Sequence, residues 1–137
     1  MYGTAKIVVS ETCNVMELLL LTLLLVKHTV ADFFLQRSFM FKDKHVYLAK
    51  GGLTHAGIHG ILSALVLIPF VNISMAIVLS LIDTIIHYHT DFFKSVWNVK
   101  TKATPNENRY WYAFGLDQLV HMLTYVGIVF FIFKGSL

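Results

Sequence analysis

The strongest constraint on this chain of 137 residues is the rhythm of its apolar blocks. Four of them, at about residues 15–38, 51–71, 73–95 and 110–133, match the roughly 20 residues that an α-helix needs to cross a bilayer core. The second block contains no Asp, Glu, Lys or Arg. Charged residues make up 14% of the whole chain, against about 25% in ordinary soluble domains, so a soluble fold of this size is excluded. The expected architecture is a single all-α transmembrane domain over residues 1–137. Its short connections predict an antiparallel bundle of four transmembrane helices.

The linkers show how the blocks are joined. Phe41 to Lys50 is polar and runs into the pair Gly51-Gly52. Pro69 to Asn72 is a tight turn, with proline ending one helix and Asn72 or Ser74 placed to cap the next. Pro105-Asn106-Glu107 closes the longest connection, and Tyr110-Trp111-Tyr112 begins an interfacial aromatic belt. Basic residues gather in loops 37–50 and 94–109, while Lys6 and Lys134 stand on the opposite side. The positive-inside rule therefore predicts a multi-pass protein of the cell inner (plasma) membrane, with both basic loops cytoplasmic and both termini outside.

The run Val15 to Val26 leads into Lys27-His28 and not into a small-residue cleavage site, so the first span is expected to be retained. Cys13 is the single cysteine, which excludes an intrachain disulfide and a thiolate metal cluster. A net charge of +3 carried by sparse basic residues predicts contact with membrane lipids and no nucleic-acid partner. Gly52, Ala56, Gly60 and Ala64 form a row of small residues that lets a neighbouring helix approach closely.

Each block carries one pair of metal-capable residues four apart: His28 and Asp32, His55 and His59, Asp83 and His87, Asp117 and His121. Such residues share a helix face, one turn above each other. Asp32 is eight residues from Met40, His59 nine from Lys50, His87 ten from Trp97 and Asp117 eight from Arg109. At about 1.5 Å of rise per residue, all four pairs fall in one layer roughly 10 to 18 Å from the cytoplasmic ends. Charged side chains at that depth cost roughly 2.5 to 3.5 kcal/mol each, so the carboxylates need something positive among them: protonated histidines, Lys27 or a metal. Five histidines and three carboxylates without cysteine suit one or two divalent transition metal ions such as Zn, Mn or Fe. The plainer reading is a polar core in which His and Asp pair between helices and set their register.

Other residues have expected roles around this layer. Gln36 and Gln118 are placed to orient ligands by hydrogen bonds. Asp91, four residues after His87, is the expected general base at the mouth, or a further ligand. Lys27, Arg37, Lys94 and Arg109 are positioned to hold a phosphate or lipid headgroup. Ser63, Ser80 and Thr124 lie one turn deeper, where hydroxyls by default bond their own helix backbone. His45 and His89 are expected to be solvated.

At His28-Thr-Val-Ala-Asp32-Phe-Phe-Leu-Gln36, His55-x-x-x-His59, Asp83-x-x-x-His87 and Asp117-Gln118-x-x-His121, the chain resembles the small bacterial and phage membrane-protein family catalogued as domain of unknown function 3307. The resemblance spans nearly the whole chain and implies a bacterial or phage source, without implying a reaction. More loosely, the design is similar to membrane-bound metal-dependent hydrolases of the LexA-regulated type.

The leading expectation is thus a membrane-embedded metal-dependent hydrolase that takes a lipid-linked or amphipathic substrate from the cytoplasmic leaflet. One alternative is a divalent-metal or proton-coupled transporter, which with so few helices requires a homodimer. Another is a non-catalytic accessory subunit or a phage holin-like protein.

Overall fold

The structure, a computed structural model, describes residues 2–133, with side chains from residue 15 onward. Lys6, Cys13 and Lys134, used above for topology and redox chemistry, lie outside the residues whose side chains are described. The elements are helical throughout: α1 (Tyr2–Thr29) continuing into a π-helical segment (Val30–Leu35), α2 (Ser38–Lys42), α3 (Lys50–Leu67), α4 (Ile73–Thr101) and α5 (Asn108–Phe133). No strand occurs among the described residues.

Three stretches are long and apolar enough to cross a membrane: Val15–Leu35, Ile73–Thr101 and Asn108–Phe133. The remaining expected span, 51–71, is not among them. Its helix ends at Leu67, before Pro69, and two histidines and four glycines dilute its apolar character. Two other boundaries also move. The first block is not one uniform helix to residue 38, because the chain turns extended at Gln36 and Arg37. The fourth helix instead overruns residue 95 and stops at Lys102, whose left-handed backbone (φ 53°) turns its N–H back onto the carbonyls of Asn98 and Val99.

Local chemistry explains the other ends. Asn72 caps α4, its side-chain oxygen accepting from the Met75 N–H at 2.9 Å. The loop before α3 is tied down where Leu48, at φ 58°, donates its N–H to the Tyr88 hydroxyl at 2.6 Å. A left-handed leucine costs about 1–3 kcal/mol and persists only where its surroundings hold it. This loop folds Lys44 inward.

The four long helices pack in a ring, with α3 on α4, α4 on α5, α5 on α1 and α1 on α3. Their outer faces carry large apolar side chains such as Phe34, Ile61, Leu81, Leu123 and Phe130, all more than half exposed. The inside is divided along its length. At one end Leu20, Leu24, Leu67, Ala76, Leu79, Tyr125, Ile128 and Val129 form an apolar cluster. The remainder is lined by buried His, Asp and Lys. Polar inside and apolar outside is the arrangement that a lipid solvent selects.

Small residues set how closely α3 meets its neighbours. Gly52 and Ala56 are buried, and a Cβ on Gly60 would collide with the Thr84 hydroxyl of α4. Gly51 is tighter, since a Cβ there would strike the Phe39 carbonyl and the Asp43 carboxylate around α2. Gly57 faces open space. Gly51→Ala should therefore destabilise the protein by about 1–3 kcal/mol, the cost of overpacking, whereas Gly57→Ala should leave it as stable or more so. Thermal unfolding of both variants in one detergent checks this.

Candidate metal centre

The ring of helices brings imidazoles from all four long helices into contact. His59 stacks on His87 with ring centroids 3.6 Å apart, and His87 stacks on His121 at 4.0 Å. His28 lies edge-on to His59 and His87 at 5.3 and 5.7 Å. All five paired histidines are buried.

Two groups within this cluster place one donor atom from each residue within 4.8 Å of the others: Asp32, His55, His59 and His87, and then His87, Asp91 and His121. Asp32 is delivered by the π-helical segment, whose wider turn shifts it around the axis relative to His28. Its Oδ1 sits 3.0 Å from His59 Nε2, 3.2 Å from His55 Nε2 and 3.9 Å from His87 Nε2. The Nε2 atoms of His55 and His87 are 3.1 Å apart. Asp91 Oδ2 closes the set at 3.3 Å from His55 and 3.5 Å from His87.

These separations fit a metal. Donors that bind one ion tetrahedrally at about 2.0–2.1 Å stand roughly 3.3 Å from one another. Protons alone satisfy the cluster less well. A neutral imidazole has one N–H, yet His55 Nε2 faces His87 Nε2, Asp32 Oδ1 and Asp91 Oδ2 together. The Nδ1 atoms of His55, His59 and His87 are buried without a hydrogen-bond partner, so the rings are held by stacking and by what their Nε2 atoms meet. The donor set of imidazole and carboxylate suits a divalent first-row ion.

The other expected ligands lie elsewhere. His28 is occupied at both nitrogens. Its Nδ1 meets the Tyr125 hydroxyl at 3.0 Å, and its Nε2 meets Gln118 Oε1 at 3.1 Å and Asp32 Oδ2 at 3.3 Å. It therefore orients Asp32 and has no lone pair left for an ion. Asp83 is neutralised by Lys27 at 2.8 Å and accepts from Ser63 Oγ. Asp117 accepts from Lys94 at 2.9 Å and from Gln118 Nε2 at 3.1 Å, with His121 Nε2 at 3.5 Å from its other oxygen. The even spacing of the pairs hides this difference, because it carries no information about which cation reaches which carboxylate.

The remaining expected residues divide in the same way. Gln118 connects His28, Asp32 and Asp117. Gln36 instead donates to the backbone carbonyl of Asp32 and accepts from Lys44 at 2.6 Å. Asp91 is buried and accepts from both Lys44 and Lys94. Lys27 is buried with Asp83, and Lys94 bridges Asp91 and Asp117, so both ammonium groups are engaged with carboxylates. Arg37 and Arg109 are exposed, Arg109 pairing with Glu107. Ser80 and Thr124 bond their own helix backbones as expected, while Ser63 does not.

Lys44 and Tyr125 are the residues that sequence reasoning missed. Lys44 sits in a basic loop where cations normally mark topology, and Tyr125 is four residues after His121 on a face otherwise filled by apolar side chains.

Fold and site together define a helical protein with membrane-like helices and buried His/Asp groups able to hold a metal ion. Residues 20–137 match the family described as Protein of unknown function (DUF3307), and the chain belongs to that family. It matches no curated protein and no solved structure.

Removing one side of a buried ion pair strands the other charge, at a cost of about 3–5 kcal/mol. Asp83→Asn should therefore lower stability by that order while leaving metal content unchanged. Unfolding and elemental analysis of the same preparation test both halves.

Proposed function

We propose that this protein is a multi-pass enzyme of the cell inner membrane, in which α1, α3, α4 and α5 cross the bilayer as one antiparallel four-helix domain. The histidines and glycines that make α3 less apolar face its partners, and its lipid-facing side keeps Leu53, Ile61 and Leu65. The exposed cations Arg37, Lys42 and Lys50 favour a cytoplasmic position for the first connection.

The proposed activity is metal-dependent hydrolysis of a lipid-linked or amphipathic substrate taken from the cytoplasmic leaflet. One observation carries the reading: Asp32, His55, His59 and His87 converge, with donor separations of 3.0 to 3.9 Å. These residues would hold the ion. Bound there, a divalent ion such as Zn, Mn or Fe supplies a Lewis acid that polarises the scissile group and lowers the pKa of water.

The rest of the core prepares the site. Tyr125, His28 and Gln118 fix the orientation of Asp32. Lys94 holds Asp91 by its Oδ1, and Lys44 donates to the Oδ2 that faces the imidazoles. Among the described residues, the core carboxylates Asp32, Asp83, Asp91 and Asp117 face three ammonium groups, Lys27, Lys44 and Lys94, a deficit of one positive charge with neutral histidines. A divalent ion turns that deficit into a surplus of one, the sign that attracts an anionic substrate.

The closed end favours an enzyme over a carrier. Lys27, Asp83 and Ser63 saturate one another beneath the apolar cluster of Leu20, Leu24 and Leu67, which excludes water from that side. The polar core opens at its other end, through a cavity of about 410 Å³ that includes Gln36, Lys44 and Lys94.

Purified protein supplied with Zn, Mn or Fe in turn should retain a stoichiometric divalent ion by elemental analysis. Asp32→Asn should abolish retention. Tyr125→Phe, which removes the support of His28 behind Asp32, should weaken it by about tenfold. Loaded proteoliposomes should show no metal flux. Protein that retains no transition metal after any supplementation would overturn the reading.

A further inference from the structure

Two cavities meet at one side chain. The first, about 480 Å³, lies between α4 and α5 and is walled by Phe93, Trp97, Tyr112, Leu116 and Val120. Phe93, Trp97, Tyr112 and Leu116 are each more than half exposed on the outer face of the helices, so this groove opens sideways toward lipid. Its polar boundary is Lys94 with Asp117, and Arg109 stands at one end. The second cavity is the polar one at the open end of the core, and Lys94 lines it too. It carries Lys42, Lys44 and His45, and no carboxylate lines it.

We propose that these two cavities form one binding site for a membrane lipid with an anionic phosphate headgroup, its acyl chain in the α4–α5 groove and its phosphate in the basic cavity beyond Lys94. The inference deepens the hydrolase reading by naming the substrate class, and it rests on that reading only for the reaction, not for the binding. The charge pattern selects the occupant. A zwitterionic headgroup brings a cation of its own, which would meet Lys42 and His45 on a wall that offers it no carboxylate among the described residues, since Asp91 and Asp117 behind it are already taken by Lys44 and Lys94. A soluble phosphate fills the basic cavity and leaves the groove empty. An anionic lipid matches both halves. Lys94 binds Asp91 at 3.1 Å and Asp117 at 2.9 Å, so a headgroup beside it lies next to Asp91 of the donor cluster.

The chain has two tryptophans, Trp97 in the groove and Trp111 outside its lining. Trp111→Phe therefore leaves Trp97 as a single reporter that brominated acyl chains quench on contact. In nanodiscs of phosphatidylcholine, brominated phosphatidylglycerol should quench Trp97 at about one fifth of the mole fraction that brominated phosphatidylcholine needs, the preference that one basic group near an anionic lipid confers. Adding Lys42→Glu and His45→Glu, both at exposed positions, should remove this preference while both lipids still quench. Ala113→Phe, which fills the groove, should weaken quenching by both. Excess inorganic phosphate should compete only for the headgroup preference.

Equal quenching by the two lipids in the Trp111→Phe protein would overturn the proposal, marking the groove as ordinary lipid contact. A preference that survives the double substitution would overturn the assignment of the headgroup to the basic cavity. Metal content measured in the same preparations is separate: loss of metal without loss of lipid preference counts against the hydrolase reading alone.

Discussion

A charge inside a low-dielectric core must be matched, and the rest of this structure depends on how its buried carboxylates are matched. Asp83 and Asp117 each have an ammonium within 2.9 Å. Asp91 has two, from Lys44 and Lys94. Asp32 has none among the described residues, and meets histidines and Gln118. That inequality explains why the metal-capable donors gather around Asp32 and not around Asp83 or Asp117. A carboxylate already neutralised by lysine offers little to an ion, whereas one surrounded by neutral imidazoles keeps its charge available.

Reaching that arrangement requires breaks in regular geometry. A straight α-helix would stack Asp32 one turn above His28, with both facing the same way. The π-helical segment from Val30 to Leu35 moves Asp32 toward α3, so that one oxygen meets His55 and His59 while the other stays with His28 and Gln118. The left-handed Leu48 has a similar role in the next connection, folding the loop so that Lys44 enters beside Asp91. Both irregularities border the donor cluster, and elsewhere the long helices are regular.

Much of this was legible in the sequence. The hydropathy of three of the blocks, the proline at 69 and the cap at Asn72 follow from local rules and agree with the helices found. The i, i+4 spacing identified faces, and the five histidines on those faces do come together. Spacing says nothing, however, about partners from other helices. It gives Asp83 and Asp117 the same standing as Asp32, because Lys27 is a counter-charge for the layer as a whole with nothing to tie it to Asp83, and Lys94 reads by its position as a headgroup cation. Lys44 was hidden for the same reason. The strand-like turn at Gln36 and the π-helical turn before it leave no compositional mark, so the end of the first span was also out of reach.

The asymmetry of the core bears most directly on what such a chain can do. A carrier must present its ion to each side in turn, which requires two alternative closures of comparable free energy. Here the closures are unlike. One end is packed by Leu20, Leu24, Leu67 and Tyr125 over a saturated Lys27–Asp83 pair, and opening it would expose a buried ion pair to hydrocarbon or break helix packing. At the other end Lys44 and Lys94 border the polar cavity. Moving those side chains leaves the apolar packing intact but strands Asp91 and Asp117, so that end opens where an incoming charged group can take over the pairing, whereas opening the first end breaks core packing as well. A site with one such door suits a group that stays in place while a substrate comes and goes.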